Sequence, residues 1–247
     1  DVILNPTFPE KEFQRLKRQS LASIQREKSS PISTALRLLP GLIYGEDHAY
    51  GNPLTGSGTE ETVTAMTRED LVEAYQSWFQ PNNSTIIVVG AATLDEILPK
   101  LEARFGLWKG EKESPTKVVA KGMAGEKSRL FLVDKPGAQQ SLILAGVTAP
   151  PTNNPDEIAI KTMNGLLGGN FTSRLNMNLR EDKHWSYGAR SLLIDARGPR
   201  LFFAYSPVQT DKTKESVQEI QKELTGILME RPPTEEELAR YKHLQTT

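Results

Sequence analysis

Two neighbouring motifs, Phe171-Thr-Ser-Arg-Leu175 and Leu179-Arg-Glu-Asp-Lys-His-Trp-Ser-Tyr187, mark the point where a helical pattern gives way to strands in this 247-residue chain. They place Arg180 and Tyr187 seven positions apart at that junction. A guanidinium group can hold a carbonyl or carboxylate through two donors, and a tyrosine hydroxyl adds a third. Arg180 and Tyr187 are therefore candidate site residues that bind peptide backbone or stabilise an oxyanion. The plainer alternative is a solvated Arg180 and a Tyr187 that fills a strand edge.

Amphipathic helices are predicted on both sides of these motifs, and most of them begin with a capping residue. Thr93 with Glu96 and Thr234 with Glu237 have the spacing of a capping box, and proline is favoured in the first helical turn. The pair Gly168-Gly169 is expected to end the helix that precedes the first motif. The predicted helix starts are Pro9, Thr67, Thr93, Asn154, Asp211 and Thr234.

Short segments rich in aliphatic or aromatic residues predict strands between the helices. The later segments follow one another in pairs, which favours antiparallel hairpins over a regular alternation of strands and helices. The predicted fold class is therefore α+β. The predicted strands are Ile86–Gly90, Leu130–Asp134, Leu142–Val147, Tyr187–Ile194 and Leu201–Ser206.

A polar stretch between Gly106 and Ser128 predicts a linker between two lobes. A faint internal repeat favours the same division, because Pro9–Lys17 aligned with Thr234–Lys242 matches at four of nine positions. Coincidence between two helix starts is the alternative. If the repeat is real, residues 1–110 are the rear part of a first repeat, 111–128 the linker, and 129–247 the front part of a second repeat.

Several classes of site lack support in the sequence. There is no cysteine, and His48, His184 and His243 are too far apart to form either order of the zinc-binding helix motif. The loop Gly51–Gly56 has the glycine spacing of a phosphate loop but lacks its lysine, and no serine nucleophile motif occurs. A net charge of −1 gives no reason to expect nucleic acid, and no apolar run is long enough for a membrane span. No metal-ligating or cofactor-binding residue is therefore predicted.

The order of several modest motifs resembles the inverzincin zinc peptidases of the insulinase, pitrilysin and mitochondrial processing peptidase type, and bacterial zinc proteases most of all. The likeness covers nearly the whole chain outside the linker. The motifs resembling the rear of one repeat are Leu4–Pro9, His48–Gly51, Leu54–Gly56, Trp78–Asn82 and Ile86–Gly90. Those resembling the front of the next repeat are Lys135–Gln140, Leu167–Gly169, Ser173–Leu175 and Leu179–Glu181 with Tyr187.

This resemblance implies two related lobes of antiparallel-rich sheet covered by helices, which enclose peptide substrates. One lobe would hold zinc, and the opposing, non-catalytic lobe would supply Arg180 and Tyr187 to the substrate. The helix after Pro155 reads Ile158-Ala-Ile-Lys-Thr-Met-Asn-Gly165 without histidine, so the second lobe is expected to be the non-catalytic kind. Zn²⁺ is expected in the zinc-bearing lobe, which would be part of the same parent polypeptide or of a partner subunit. The alternative is a non-catalytic scaffold or processing subunit. Bacterial relatives of this type are often exported, which favours a periplasmic or exported location over a cytoplasmic one, but the sequence itself leaves the compartment open.

Overall fold

The computed structural model describes residues 2–110 and 128–246. The described residues form two compact units, residues 2–26 with 57–110 and residues 27–56 with 128–246. The predicted linker lies outside the described residues except for Ser128. The predicted lobe boundaries at 110 and 129 stay a prediction, although residues 27–56 are grouped by their contacts with the second unit rather than the first.

The first unit is helical in its described part. It contains the helices α3 (Glu60–Ala65), α4 (Arg68–Trp78) and α5 (Leu94–Phe105), together with α1 (Glu10–Ser29) as far as Arg26. The last three residues of α1 and the next helix, α2 (Pro31–Tyr44), belong to the second unit. Capping boxes start three of them, at Thr59, Thr67 and Thr93, so the predicted starts at Thr67 and Thr93 are confirmed. These caps satisfy amide groups that the first helical turn leaves without partners.

Side chains that reach backbone carbonyls hold the first unit together. Lys17 donates to the Thr64 and Met66 carbonyls at 2.6 and 2.8 Å. The Tyr75 hydroxyl donates to the Ile3 carbonyl at 2.7 Å, and Arg68 reaches the carbonyl that precedes α1. The chain before α1 is therefore tied to α4, and α1 to the end of α3.

The second unit is built on an antiparallel sheet of strand order β1–β3–β2, with β3 in the centre. The strands are β1 (Gln140–Ala149), β2 (Arg190–Leu193) and β3 (Arg200–Gln209). The predicted strands at 142–147, 187–194 and 201–206 are thus confirmed, although β2 is shorter than expected. Its helices are α6 (Glu157–Asn164), α7 (Arg174–Asn176), α8 (Thr213–Gly226) and α9 (Glu235–Thr246), with π-helical segments at Gly165–Gly169 and Met177–Asp182.

Both faces of this sheet are covered, which explains why β3 is buried along nearly its whole length. On one face Leu201 and Phe203 pack with Leu39 and Tyr44 of α2. On the other face Ala204 joins a larger core with the helices that follow β1. The buried members of that core are Leu167, Leu175, Leu179, Ala189, Ala204, Ile220 and Ile227. The α+β prediction is therefore confirmed in the second unit.

Two predicted strands, at 86–90 and 130–134, are wrong. Both segments are rich in apolar residues, yet neither pairs with another strand of the described chain. Apolar composition indicates a preference for strands, but a strand exists only where a neighbour accepts its backbone hydrogen bonds.

Helix α2 was missed from the sequence. Its start has a clear signal, because Ser30 caps it and Pro31 occupies the first turn, but Pro40 in its interior disguises the pattern.

No helix within residues 2–110 or 128–246 is both long and apolar enough to cross a membrane.

Candidate functional site

Arg180 lies in the π-helical segment Met177–Asp182, which follows α7 directly. The adjacent Leu179 is completely buried in the main core and anchors the segment. The Arg180 guanidinium stacks over the ring of Phe171, 4.6 Å from its centroid, and its Nε lies 3.3 Å from a carboxylate oxygen of Glu181. Stacking on an aromatic face orients a guanidinium while leaving its donors available. Single-turn π-helical segments are also frequent at functional sites.

Tyr187 stands at the apex of a turn that fixes the backbone on both of its sides. The Ser186 hydroxyl donates to the Pro207 carbonyl (2.6 Å) and accepts from the Gly188 amide (3.0 Å) and the Ser206 hydroxyl (2.9 Å). Ser186 also forms an isolated antiparallel bridge with Val208 of β3. The Tyr187 side chain is nevertheless 87% exposed. An exposed phenol on a rigid turn is thus presented to solvent.

Asn176 links the backbones that carry these groups. It is buried at the end of α7, where its Nδ2 donates to the Phe171 carbonyl (2.7 Å) and its Oδ1 accepts from the Ala189 amide (3.2 Å). The loop under the Arg180 guanidinium is therefore tied to the chain that leaves Tyr187. Sequence reasoning missed Asn176, because both contacts are tertiary and its own position gives no signal.

The segment between the two candidate residues is also held in place. His184 has φ of +57°, and its Nδ1–H donates to the Arg180 carbonyl at 3.0 Å. The Lys183 ammonium lies 2.7 Å from a carboxylate oxygen of Asp182, which lowers the pKa of Asp182 and raises that of Lys183. These two neighbouring charges offset each other. The structure therefore places both predicted site residues, Arg180 and Tyr187, on the surface of the second unit with ordered backbone between them.

Arg174, the arginine of the first motif, has a structural role instead. Its Nε and one terminal nitrogen each lie 2.7 Å from a Glu237 carboxylate oxygen, and that nitrogen also donates to the Pro232 carbonyl at 3.0 Å. Glu237 in turn accepts from the Thr234 amide at 2.8 Å and completes the predicted capping box of α9. The guanidinium, together with this amide, lowers the pKa of Glu237 to about 2. Arg174 thus anchors α9 and is not free for a substrate.

A groove of about 820 Å³ lies beside this clamp, and it does not include Arg180 or Tyr187. Most of its charged lining residues pair with one another, as in Arg174 with Glu237 and Arg231 with Glu223, although Glu230 also lines it. Because these ion pairs satisfy the charges within the protein, the groove is a less suitable substrate site than the exposed Arg180 and Tyr187.

The described residues do not fit a zinc ion. Within residues 2–110 and 128–246, no three histidine, aspartate or glutamate side chains lie together as a metal site would require. His184 uses Nδ1 on the Arg180 carbonyl. The ring of His48 stacks on Tyr44 with centroids 4.8 Å apart, and its Nδ1 accepts from the Tyr50 amide at 3.0 Å. Each of these histidines thus has one ring nitrogen hydrogen-bonded to the backbone close to it in sequence.

Comparison with known proteins connects this geometry to a family. The family described as Peptidase M16 inactive domain matches residues 65–245. An uncharacterized zinc protease of Mycobacterium leprae is 26% identical over 195 residues, which cover 78% of this chain and 43% of that protein. The uncharacterized zinc protease YmxG of Bacillus subtilis is 24% identical over 227 residues, covering 92% of this chain and 53% of YmxG. The predicted resemblance to zinc peptidases is thereby confirmed.

Solved structures agree on the fold. The crystal structure of a peptidase M16 inactive domain from Pseudomonas fluorescens matches with a TM-score of 0.88 at 22% identity, covering 100% of this chain and 58% of that chain. The present chain spans about half the length of the relatives it matches. Because the family match extends over well more than half of the residues, the chain belongs to the peptidase M16 inactive-domain family.

Proposed function

We propose that this chain is the substrate-binding and transition-state-supporting segment of a zinc-dependent metalloendopeptidase. Arg180 holds the carbonyl or carboxylate side of a bound peptide, and Tyr187 donates a hydrogen bond to the oxyanion that develops as the peptide bond is attacked. The observation that carries this proposal is the exposure of Tyr187 on a turn whose flanking backbone is hydrogen-bonded on both sides.

The physical reason is preorganisation. A donor that is already fixed before the substrate arrives loses little conformational freedom when the transition state forms, so its hydrogen bond contributes more to the rate. The turn at Ser186 fixes the backbone of Tyr187, and the Phe171 ring limits the orientations of Arg180. Asn176 supports this arrangement because it hydrogen-bonds the two backbone segments involved.

Cleavage itself requires groups that the described residues do not contain. The relatives are named zinc proteases, and we propose that zinc is bound by another lobe, on the same polypeptide or on a partner subunit. Such an ion activates a water molecule for attack on the peptide carbonyl. This chain would then bind and orient the peptide opposite that centre and would be inactive alone.

The test is Tyr187→Phe in the parent peptidase that joins this chain to its zinc-bearing lobe. Removing one oxyanion donor commonly costs ~2.7–4 kcal/mol, so kcat/KM for peptide hydrolysis should fall roughly 10²–10³-fold, mainly through kcat. The matched control is Tyr241→Phe, because the Tyr241 hydroxyl makes a long, 3.5 Å contact with the Lys161 carbonyl. Its kcat/KM should stay near that of the wild type. Unchanged kinetics in Tyr187→Phe would rule out the role of its hydroxyl.

Arg180→Ala should weaken substrate binding and raise KM. A guanidinium that holds the peptide stabilises the bound substrate as well as the transition state, and losing such an interaction raises KM. Arg197→Ala is the control, since Arg197 is an exposed arginine of the same unit that lies outside the candidate site. A KM for Arg180→Ala equal to that of the control would contradict substrate binding by Arg180.

A non-catalytic scaffold or processing subunit with the same fold is the second candidate. The family match favours it, because the matching domain is described as inactive. The two candidates differ in whether the parent protein, together with a zinc-bearing lobe, cleaves peptides. Chelator-sensitive peptide cleavage that falls in Tyr187→Phe supports the peptidase. Peptide cleavage absent from the parent and from its purified complexes supports the scaffold.

A further inference from the structure

The backbone around Tyr187 shifts its register against β3 by one residue. In the regular part of the sheet Arg190 pairs with Tyr205, whereas Ser186 forms its bridge with Val208. The three residues between Ser186 and Arg190 therefore stand opposite only two residues of β3. One extra residue on one strand of an antiparallel pair is a β-bulge, a feature that re-aims side chains and is frequent next to active sites.

The exposure of the side chains shifts at the same point. Successive residues of a strand alternate between its two faces, so without the bulge Tyr187 would share the face of Ala189 and Ser191. Ala189 and Ser191 are 1% and 0% exposed, whereas Tyr187 is 87% exposed. The extra residue therefore turns the Tyr187 side chain from the buried face of the sheet to the solvent.

Pro207 supports the same interpretation from the opposite strand. It lies in the central strand of the sheet, although proline within sheets is confined to edges, strand starts and bulges. Its carbonyl faces the bulge and accepts the Ser186 hydroxyl at 2.6 Å. The amide nitrogen and carbonyl of one strand residue point to the same neighbouring strand. The donor that Pro207 lacks would therefore face the bulge, where the ladder is already interrupted.

Two buried hydroxyl groups hold the bulge. Ser206 is completely buried in β3, on the same face as Ala204 and Val208, which are apolar and equally buried. A hydroxyl in such a position costs free energy unless it finds a partner. Its oxygen lies 2.9 Å from Ser186 Oγ and 3.2 Å from the Gly188 carbonyl oxygen. Ser186 Oγ in turn accepts the Gly188 amide at 3.0 Å. Both partners of the buried hydroxyl thus flank the exposed tyrosine.

We propose that Ser186 and Ser206 are positioning residues for Tyr187. Their hydroxyl contact holds the bulge, and the bulge directs the phenol away from the core toward a bound peptide. This role rests on the function proposed above for Tyr187. A bulge that lost the contact would let the phenol sample orientations other than the one that the oxyanion requires. Losing the contact should therefore lower kcat rather than weaken substrate binding.

The kinetic test uses Ser206→Ala in the parent peptidase. Loss of one hydrogen bond between neutral groups should lower kcat roughly 3–10-fold and leave KM unchanged. Ser191→Ala is the matched control, because Ser191 is also completely buried in this sheet but donates to the Asn164 side chain at 2.8 Å. It should keep the wild-type kcat even where it lowers the melting temperature. Ser186→Ala removes the other end of the hydroxyl contact and should reproduce the fall in kcat, so the test does not depend on how well Ser206→Ala folds.

A double variant separates positioning from a general loss of stability. Once Tyr187→Phe has removed the phenol hydroxyl, the bulge has no donor left to position. Adding Ser206→Ala to Tyr187→Phe should then lower kcat by less than about twofold. An equal fall in kcat with and without the tyrosine hydroxyl would contradict a positioning role.

Backbone NMR relaxation of the 247-residue chain tests the bulge without any catalysis. The amides of Tyr187 and Gly188 should have order parameters near ~0.85 in the wild type and in Ser191→Ala, and should fall below about 0.6 in Ser206→Ala. Order parameters unchanged in Ser206→Ala would overturn the proposal. So would a fall in kcat for Tyr187→Phe that Ser206→Ala and Ser186→Ala do not share. Unchanged kinetics in Tyr187→Phe itself would instead overturn the proposed function, and the positioning role with it.

Discussion

Replacing Glu237 with Gln tests the clamp that holds α9 on the second unit. Glutamine still accepts the Thr234 amide in a capping box, so the substitution removes the charge that faces Arg174 and leaves the cap. The Arg174 guanidinium is the main cause that lowers the Glu237 pKa from 4.5 to about 2. A shift of that size corresponds to ~3.4 kcal/mol. Because the carboxylate is 26% exposed, solvent screening reduces the expected contribution to about 1–2 kcal/mol.

Hydrogen exchange of the α9 amides measures this contribution locally, which matters because a chain of two units need not unfold in one step. At pH 6 the protection of α9 in Glu237→Gln should fall about 5–30-fold relative to the wild type. The control is Glu236→Gln, which removes a charge from the same helical turn. Glu236 forms an exposed pair with Arg240 at 2.9 Å, worth about 0.3–0.5 kcal/mol, so protection should fall by no more than about twofold.

The sign of the pH dependence provides a second check. A carboxylate whose pKa is lowered on folding stabilises the native state fully above its unfolded pKa and loses that contribution as pH falls toward its folded pKa. The difference between wild type and Glu237→Gln should therefore be complete above pH 4.5 and shrink toward pH 2. Equal protection at pH 6, or a difference that persists unchanged at pH 2, would refute the clamp.

Two further predictions concern the packing and charge of the second unit. Gly168→Ala should lower the urea midpoint and cost ~1–3 kcal/mol, because its added Cβ would overlap the Ser191 amide nitrogen. The control Gly90→Ala should leave the midpoint unchanged, because a Cβ there meets no atom within 4 Å. Equal midpoints would contradict this close approach. Glu157→Gln should lower the melting temperature at pH 7, because it leaves the completely buried Arg200 without the charge of its partner. Arg200 lowers the pKa of Glu157 to about 2, so the effect should fade as pH falls from 4.5 toward 2. A melting temperature unchanged at pH 7 would refute this ion pair's contribution.

The parts of the fold that follow from local chemistry could be predicted from the sequence. The capping boxes at Thr67, Thr93 and Thr234 involve residues three positions apart, so spacing alone identifies them. Strands β1 and β3 combine strong strand preference with a partner in the same chain. Segments 86–89 and 130–133 have the same preference but no partner in the described chain, and preference without pairing did not produce a strand.

The same distinction between local and tertiary interactions applies to the candidate site. Arg180 and Tyr187 could be proposed from residue type, spacing and family resemblance. Their support could not, because Asn176 contacts residues five and thirteen positions away through tertiary packing, and the turn at Ser186 depends on β3. Sequence reasoning therefore proposed the groups that would meet a substrate and missed those that hold them.

Two arginines of the same segment show why the role of a residue depends on its distant partners. Arg174 and Arg180 are six positions apart, and either could grip a peptide on grounds of chemistry. Glu237, 63 positions after Arg174, engages its guanidinium through two nitrogens and removes it from that role. Among the described residues, the Arg180 guanidinium meets its sequence neighbour Glu181 at 3.3 Å and the face of Phe171. An arginine already satisfied by a partly buried carboxylate must lose that pair to bind a substrate, whereas one on an aromatic ring need not. Of these two, Arg180 is therefore the arginine that we propose for binding a peptide.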